Sequence, residues 1–130
     1  MQDILVPISP GELLDKITIL RIKSTRMTDA TKLANVRLEL GLLEQQWRAA
    51  LPKGIEVANE ERALEEVNAK LWDIEDLIRD LEAEKRFDAR FVELARAVYI
   101  NNDERAAIKK RINVKLGSAL IEEKSYRPYA

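Results

Sequence analysis

The segment LANVRLELGLLEQQWRAALPKG, Leu33–Gly54, decides the fold class of this chain. Its apolar residues recur at alternating steps of three and four, and the run ends in a Pro-Lys-Gly turn signal. The same spacing returns over Leu64–Leu81. Each run covers nearly three heptads, so we expect an antiparallel hairpin with a coiled-coil-like seam. The seam positions are Leu33, Val36, Leu40, Leu43, Trp47 and Ala50 in one helix and Leu64, Val67, Leu71, Ile74, Ile78 and Leu81 in the other.

Capping residues and turn signals divide the rest of the chain. The segment Asp3–Ile8 is short, apolar and interrupted by Pro7, which favours an extended edge segment. Four residues are suited to helix N-caps, namely Ser9, Asp29, Asn59 and Asp88, and Gly117 is suited to a helix end. The chain is therefore predicted to be a single all-α domain, an antiparallel bundle of four to five helices. The predicted parts are an extended segment at 1–8, helices at 9–27, 29–51, 59–84 and 88–116, and a C-terminal tail at 117–130.

The hexapeptide ISPGEL, Ile8–Leu13, has the composition of a catalytic or phosphate-binding loop, but its residue order fits a helix start better. Ser9 suits the N-cap, Pro10 the first helical position, and Glu12 the position that completes a capping box. Gly11 has no such duty, and glycine inside a helix costs about 1 kcal/mol relative to alanine. We therefore expect another group to approach the backbone at Gly11.

Composition excludes several classes of chemistry. The 130 residues include 22 Lys and Arg against 23 Asp and Glu, with no cysteine and no histidine. A thiol nucleophile, a disulfide framework, a Cys/His zinc site and a Ser-His-Asp triad are therefore impossible. The first residues lack the basic region of a signal peptide, and no apolar run approaches the roughly 20 residues of a membrane span. The sequence predicts a cytoplasmic protein without a membrane partner or a cofactor.

Some apolar side chains point away from the predicted seam. Leu38 and Leu42 fall on the opposite side of their helix, and Trp72 lies well away from the seam of the next one. The first helix is apolar almost all round, and a helix that is apolar on two sides has to be covered on two sides. The cover comes from the rest of the bundle or from a second copy of the chain. The outward Trp72 favours a homodimer.

The C-terminal tail is unusually aromatic. Tyr126 and Tyr129 are two of the chain's three tyrosines, whereas disordered ends are usually poor in aromatic residues. We expect the tail to fold back onto the bundle, or onto a dimer mate, with both tyrosines as anchors. The alternative is a docking tail for another protein.

Arg21 is the first polar residue in an unexpected place, since it projects between Leu14 and Ile17 on an apolar arc of the first helix. The ordinary interpretation is a snorkelling or salt-bridged arginine at a helix boundary. The functional interpretation is an anion ligand, because the guanidinium group suits carboxylate and phosphate recognition.

A second polar group consists of Asn102, Arg105 and Lys109. If 88–116 is one helix, these residues lie on its apolar side and need partners. Alternatively the helix breaks at Asn101 or Asn102 and the basic residues face water. In the first case they are candidates, with Arg21, for a pocket that binds a nucleotide or another small phosphorylated ligand. A nucleic-acid partner is disfavoured because residues 56–84 carry a net charge of −8.

Asp73 and Asp76 form a third group on the face opposite the seam, with Asp80 beyond them. Asp76 and Asp80 are four residues apart, so their like charges repel, and a basic partner or a magnesium ion would offset that repulsion. Asp73 with Asp76, and Glu12 with Asp15 in the first helix, loosely resemble the carboxylate pairs of the magnesium-dependent all-α nucleotide pyrophosphohydrolases. The order and spacing of that family's motifs do not match, so this enzyme is only an alternative.

Four long blocks, which together span nearly the whole chain, resemble a small bacterial domain family of unknown function. The blocks are VPISPGELLDKITILRIKSTR (Val6–Arg26), LWDIEDLIR (Leu71–Arg79), RFDARFVELARAVYINNDERAAIKKRIN (Arg86–Asn113) and GSALIEEKSYRPY (Gly117–Tyr129). That family occurs alone and near or joined to glycosyltransferase-type proteins. The resemblance implies an accessory role in bacterial sugar transfer and supplies no catalytic residues. The leading functional prediction is a non-enzymatic helical interaction domain.

Overall fold

The computed structural model describes residues 1–129 and contains four α-helices; Ala130, the last residue of the predicted tail, lies outside it. The helices are α1 (Pro10–Arg26), α2 (Ala30–Ala50), α3 (Ala58–Ala83) and α4 (Ala89–Lys115). The prediction of an all-α fold is confirmed. Among residues 1–129, no helix combines the length and the apolar character that a membrane crossing needs.

Three of the four predicted N-caps are confirmed. The side chains of Ser9, Asp29 and Asp88 each accept a hydrogen bond from the backbone N–H three residues further on, which satisfies a donor that the helix leaves free. The predicted cap at Asn59 is wrong, because α3 begins two residues earlier with Val57 at the cap position. Val57 is only 4% exposed and belongs to the core cluster, so apolar burial fixes this helix start in place of a side-chain cap.

Helix α4 runs without interruption through Asn101 and Asn102, so the alternative of a break there is wrong. The side chain of Asn101 donates to the Ala97 carbonyl oxygen one turn earlier, at 2.8 Å, and does not cap a new helix. The helix ends as predicted at Gly117, whose φ of 66° and backbone bonds back into α4 are those of a Schellman-type end.

Helix α1 is the centre of the bundle. It packs against α2, α3 and α4, and α3 also packs against α4. The predicted direct seam between α2 and α3 is not formed, since no Cα atoms of these two fully described helices come within 8 Å of each other. Both apolar faces pack against α1 instead, which contributes buried apolar residues such as Leu14 and Ile17 between them. Leu14 and Ile17 of α1, both fully buried, lie in one core cluster with Trp47 of α2 and Leu64 of α3.

The two ends of the described chain are not helical. Residues 1–8 form neither helix nor strand, and Ile4, Leu5 and Val6 are all exposed. The tail after Gly117 continues without helix or strand to Tyr129. It returns along α4, and this return brings a carboxylate of the tail to the site described next.

Candidate functional site

The start of α1 lies against the end of α4. The Gly11 backbone N–H donates to Oδ1 of Asn113 at 2.7 Å, across 102 positions of sequence. A Cβ atom on Gly11 would lie 2.5 Å from the Lys109 carbonyl oxygen, a distance that real Cβ atoms do not reach. The expectation that another group approaches the backbone at Gly11 is thus confirmed. The close approach brings the polar side chains of α1 opposite those of α4.

Asp15 is the buried centre of a polar cluster, which we define as Glu12, Asp15, Thr18, Asn68, Arg105, Lys109 and Glu122. Asp15 is 1% exposed and accepts two bonds from Arg105, from Nε at 2.9 Å and from Nη2 at 2.5 Å. Asn68 of α3 donates to Asp15 at 2.9 Å and to Thr18 at 3.0 Å. The two-point pairing between Arg105 and Asp15 is the strongest form of guanidinium–carboxylate contact.

Lys109 is the second cation of the cluster. Its ammonium lies 2.6 Å from Glu12, 3.0 Å from Glu122 of the tail and 3.8 Å from Asp15. Only 11% of its side chain is exposed. The carboxylate of Glu12 therefore binds this ammonium instead of returning to the helix start, so Ser9 supplies only its own half of the predicted capping box.

The cluster shifts the pKa values of Asp15, Arg105 and Lys109 away from neutrality. Burial raises the pKa of Asp15, but bonds from Arg105 and Asn68 and the charges of Arg105 and Lys109 outweigh burial, so the pKa falls below its ordinary 3.8. Burial lowers the pKa of Lys109, but its bonds to two glutamates outweigh burial and the pKa rises above 10.5. Hydrogen bonding to Asp15 raises the pKa of Arg105. Asp15, Lys109 and Arg105 are therefore all charged throughout the neutral pH range.

Two adjoining cavities meet at Arg105 and Asn102, which line both. The larger, of about 410 Å³, is a groove between α1, α3 and α4, with Ile19, Ile22 and Trp72 among its apolar lining. The smaller, of about 190 Å³, lies between α1, α4 and the tail, and is lined by charged groups that include Lys109 and Glu122. A guanidinium thus faces a polar pocket on one side and an amphipathic groove on the other.

The family described as "Family of unknown function (DUF6165)" matches residues 4–129. The chain belongs to this family. The resemblance carried by the four sequence blocks is therefore confirmed as membership of a small domain family without an assigned activity. No curated protein and no solved structure matches the chain.

In this DUF6165 member, three of the four predicted ligand-binding residues lie together. Asn102, Arg105 and Lys109 share the polar side of α4, and Asn102 accepts a long bond of 3.4 Å from Nη1 of Arg105. Arg21 is placed elsewhere. Its guanidinium pairs with Glu61 of α3 at 3.2 Å and Glu44 of α2 at 3.6 Å, so it links the two helices that α1 separates.

The sequence predicts Glu12 and Asp15 as a carboxylate pair, but it does not match them to Arg105 and Lys109, and it does not predict Asn68 or Glu122 as site residues. Asp15 interrupts the apolar run of α1 just as Arg21 does, and Asn68 follows Val67 directly on the apolar side of α3. At both positions a polar residue stands where the helical period expects a buried apolar one. The same pattern singles out Asn102, Arg105 and Lys109 in α4. Glu122 follows no such pattern, because only the course of the tail brings it to Lys109.

The two metal candidates do not converge. Asp73 is 61% exposed and forms an ion pair with Arg26 of α1. Asp76 is exposed at the rim of the groove. Within the part of the chain that the structure describes, no three acidic side chains are grouped closely enough to hold a metal ion. Arg26 is thus a basic partner for Asp73, but it pairs with neither Asp76 nor Asp80, where the repulsion is expected.

The interface candidates are in three different settings. Leu38 and Leu42 are exposed on α2, at 67% and 48%. Trp72 is half-buried in the groove, with the Arg26 guanidinium 6.0 Å from its ring. Tyr129 folds back onto α4, where its ring packs on Tyr99 and its hydroxyl donates to Asp103 at 2.7 Å, whereas Tyr126 is 79% exposed.

Proposed function

We propose that this chain is a non-enzymatic helical interaction domain that associates with a second copy of itself. The observation that carries the proposal is the surface area. The accessible surface is 9284 Å². A compact monomer of this mass, 14.9 kDa, has about 7,000 Å². The chain therefore exposes about 2,300 Å² more than its mass requires.

The exposed surface includes large apolar residues. The extended segments at both ends contribute to the excess, and so does the outer face of α2, where Leu38 and Leu42 are exposed. A stable protein–protein contact hides about 800 Å² on each partner. The excess is large enough for such a contact. Exposed apolar groups of this kind are typical of surfaces that bind another protein.

A non-enzymatic role agrees with the electrostatics of the cluster. An acid or base catalyst works best with a pKa near the working pH. Among residues 1–129, every displaced pKa moves away from neutrality, downward for carboxyl groups and upward for lysine, arginine and tyrosine. Asp15 and Arg105 also neutralise each other. These properties favour a structural or binding role for the cluster.

Multi-angle light scattering at micromolar concentration tests the proposal. We expect a mass twice that of the 14.9 kDa chain, falling toward the monomer mass on dilution. A monomer mass at 100 µM, roughly the concentration at which a weak transient complex still forms, would end the proposal of self-association.

A second candidate function is the binding of a small phosphorylated ligand, such as a nucleotide or nucleotide-sugar. The specific observation is that Arg105 lines both cavities and keeps Nη1 on one long bond to Asn102. Lys109 is held by Glu122 of the tail, and a phosphate could take the place of that carboxylate. In the amphipathic groove beside Arg105, the Trp72 ring is placed to stack on a flat base or a sugar ring. An accessory role in sugar transfer would use such a site.

Trp72 is a natural reporter for this second candidate. The chain has two tryptophans, Trp47 in the core and Trp72 in the groove. In a Trp47→Phe variant, Trp72 is the only tryptophan that fluoresces. UDP-glucose at millimolar concentration should change its fluorescence with saturation, and inorganic phosphate should compete. The Trp72→Phe variant, which reports from buried Trp47, is the control. An unchanged Trp72 signal with UDP-glucose, together with an unchanged melting temperature, would contradict nucleotide-sugar binding.

A further inference from the structure

The smaller cavity contains a carboxylate of the chain's own tail. Glu122 bridges two ammonium groups, with Oε2 at 3.0 Å from Nζ of Lys109 and Oε1 at 3.3 Å from Nζ of Lys124. All three residues line this cavity of about 190 Å³, together with Arg105. Two cations that bind separate oxygens of one anion can bind a phosphate group in the same way. Glu122 therefore occupies an anion position that is built by two lysines.

The tail that carries Glu122 is held to the bundle by few contacts. Every residue from 119 to 129 is exposed. Within residues 1–129, the last backbone bond between the tail and α4 is that of Ser118 to Asn113. Beyond it, the side chains of Glu122 and Tyr129 attach the tail to α4. A segment with so little buried area opens at a low cost in free energy. Glu122 can therefore leave Lys109 without the unfolding of a helix.

Glu122 is the most exchangeable of the carboxylates around Lys109. Asp15 is 1% exposed and is also bound by Arg105 and Asn68. Glu12 has a side-chain exposure of 33% and is fixed in the first turn of α1. Glu122 has an exposure of 44% and lies on the non-helical tail. A competing anion therefore replaces Glu122 before it replaces either carboxylate of α1.

The charges around the smaller cavity are balanced only while Glu122 is in place. Three cations face three carboxylates there, namely Arg105, Lys109 and Lys124 against Glu12, Asp15 and Glu122. When Glu122 turns toward solvent, one positive charge is left in excess. The side chain of Lys109 is only 11% exposed, so water screens this charge poorly. An entering anion restores the balance, and exchange is favoured over simple opening.

We infer that Glu122 is a built-in competitor at a phosphate subsite formed by Lys109, Lys124 and Arg105. The inference rests on the second candidate function, the binding of a small phosphorylated ligand, and assigns the position of the phosphate and its regulation. The phosphate takes the place of the Glu122 carboxylate, and the rest of the ligand lies in the adjoining groove. Because the ligand has to displace Glu122, the tail lowers the affinity of the site.

The number of cations favours a phosphate over a single carboxylate as the ligand group. A phosphate ester has three strong acceptor oxygens. Three cations line the smaller cavity, and Arg105 keeps Nη1 on one long bond of 3.4 Å to Asn102. Glu122, with two oxygens, binds the two lysines and leaves this guanidinium nitrogen to Asn102. A phosphate can bind all three cations at once.

Glu122→Gln tests the competition directly, with inorganic phosphate as the probe. The amide keeps the size of the side chain and removes its charge. We expect phosphate to bind this variant about fivefold more tightly than the wild type, the factor that corresponds to an ion pair of about 1 kcal/mol. Phosphorus NMR of phosphate titrated with protein, at constant ionic strength, gives the dissociation constants.

Glu123→Gln is the matched control. It makes the same change in net charge one position along the tail, at an exposed residue outside the lining of the smaller cavity. Its dissociation constant for phosphate should equal that of the wild type. An equal gain in both variants would show a general charge effect and overturn the inference.

Lys124→Gln, made in the Glu122→Gln background, tests the second lysine. Lys124 has a side-chain exposure of 39%, so its replacement should leave the melting temperature unchanged while phosphate binding weakens severalfold. Unchanged phosphate binding would overturn the place of Lys124 in the subsite.

The outcomes separate this inference from the function on which it rests. Equal phosphate binding by Glu122→Gln and the wild type, or no binding by Glu122→Gln, would overturn the inference alone if UDP-glucose still changes the Trp72 fluorescence. Loss of that UDP-glucose response in both proteins would overturn the second candidate function together with the inference.

Discussion

Asp15 and Arg105, ninety positions apart, form a two-point ion pair that joins α1 to α4 with N–O distances of 2.9 and 2.5 Å. The carboxylate is 1% exposed, so its desolvation is costly and is offset only because Arg105, Asn68 and Lys109 surround it. The pair therefore holds the bundle together only while both partners are present.

Removing one partner of this pair should be far more damaging than removing an ordinary surface arginine. Arg105→Ala leaves a buried carboxylate without its main partner, and we expect a loss of about 3–5 kcal/mol in the free energy of unfolding. Arg79→Ala, which breaks an exposed pair with Glu75, should cost less than about 1 kcal/mol. Urea unfolding compares the two variants. Equal losses would mean that Asp15 finds water in place of the guanidinium.

Replacing both partners with apolar residues should recover stability. In Asp15→Leu/Arg105→Met no carboxylate stays buried without a partner, because Lys109 keeps its pairs with Glu12 and Glu122, and such replacements are often neutral or stabilising. The double variant should therefore unfold at a higher urea concentration than Arg105→Ala. If it does not, the contribution of the pair is not mainly the avoidance of an unpaired charge.

Gly11→Ala should destabilise the bundle although alanine favours helices. The new Cβ would lie 2.5 Å from the Lys109 carbonyl oxygen, so α1 and α4 must separate. We expect a loss of about 1–3 kcal/mol, as for other overpacked sites. Gly41→Ala, on the exposed side of α2, is the control. It meets nothing within 4 Å and should gain up to about 1 kcal/mol from helix propensity. Unfolding curves in urea give both values.

Stability should be nearly flat around neutral pH and fall in acid. The chain has no histidine, the residue that usually titrates there. The pKa of Asp15 is lowered from 3.8, so its contribution is present above the unfolded value and is lost as the pH falls through the folded value. Denaturation midpoints from pH 2 to 8 measure this loss. Asp15→Asn should be less stable at pH 7 and less sensitive to acid, and a parallel decline in both proteins would assign the acid loss to other groups.

The raised pKa of Lys109 has the opposite sign. Its contribution is present below the unfolded value of 10.5 and is lost as the pH rises through the folded value. Lys109→Met removes this dependence, so the variant should show a smaller loss of stability between pH 10 and 12 than the wild type. Tyrosine titration contributes to the same range and is common to both proteins.

Tyr129 should titrate at a higher pH than an ordinary tyrosine. The hydrogen bond from its hydroxyl to Asp103 raises the pKa of Tyr129 above the ordinary 10.0. Absorbance at 295 nm follows tyrosinate, and Tyr129→Phe should remove the component with the raised pKa from that titration. Asp103→Asn should shift the component to lower pH. A wild-type curve with three equivalent tyrosines would show that the tail does not rest on α4 in solution.

Helix existence and cap chemistry could be predicted because they depend on neighbours within a few positions. The 3–4 spacing around Trp47 and the caps at Ser9, Asp29 and Asp88 are of this kind. The helix pairing could not be predicted, since an apolar stripe on α2 fits α1 as well as it fits α3. The apolar spacing shows that this face of α2 is buried. Which helix covers it depends on all four helices together.

The polar site divides in the same way. Arg105 and Lys109 were identified because charges on a core register need partners, and Arg21 was identified by the same rule although its partners lie on other helices. The rule finds buried polar residues but does not match them to each other. Glu122 follows no helical period, so only the folded tail relates it to Lys109.

The central position of α1 has a consequence for the order of folding. Its contact with Asn113 spans 102 positions, so the polar side of α1 is matched only when α4 closes onto it. Until then α1 exposes the apolar residues that it buries in the folded bundle, and such exposure favours misassembly. Closure of α4 onto α1 is therefore the step that we expect to limit the folding rate, because the longest loop in the bundle closes there.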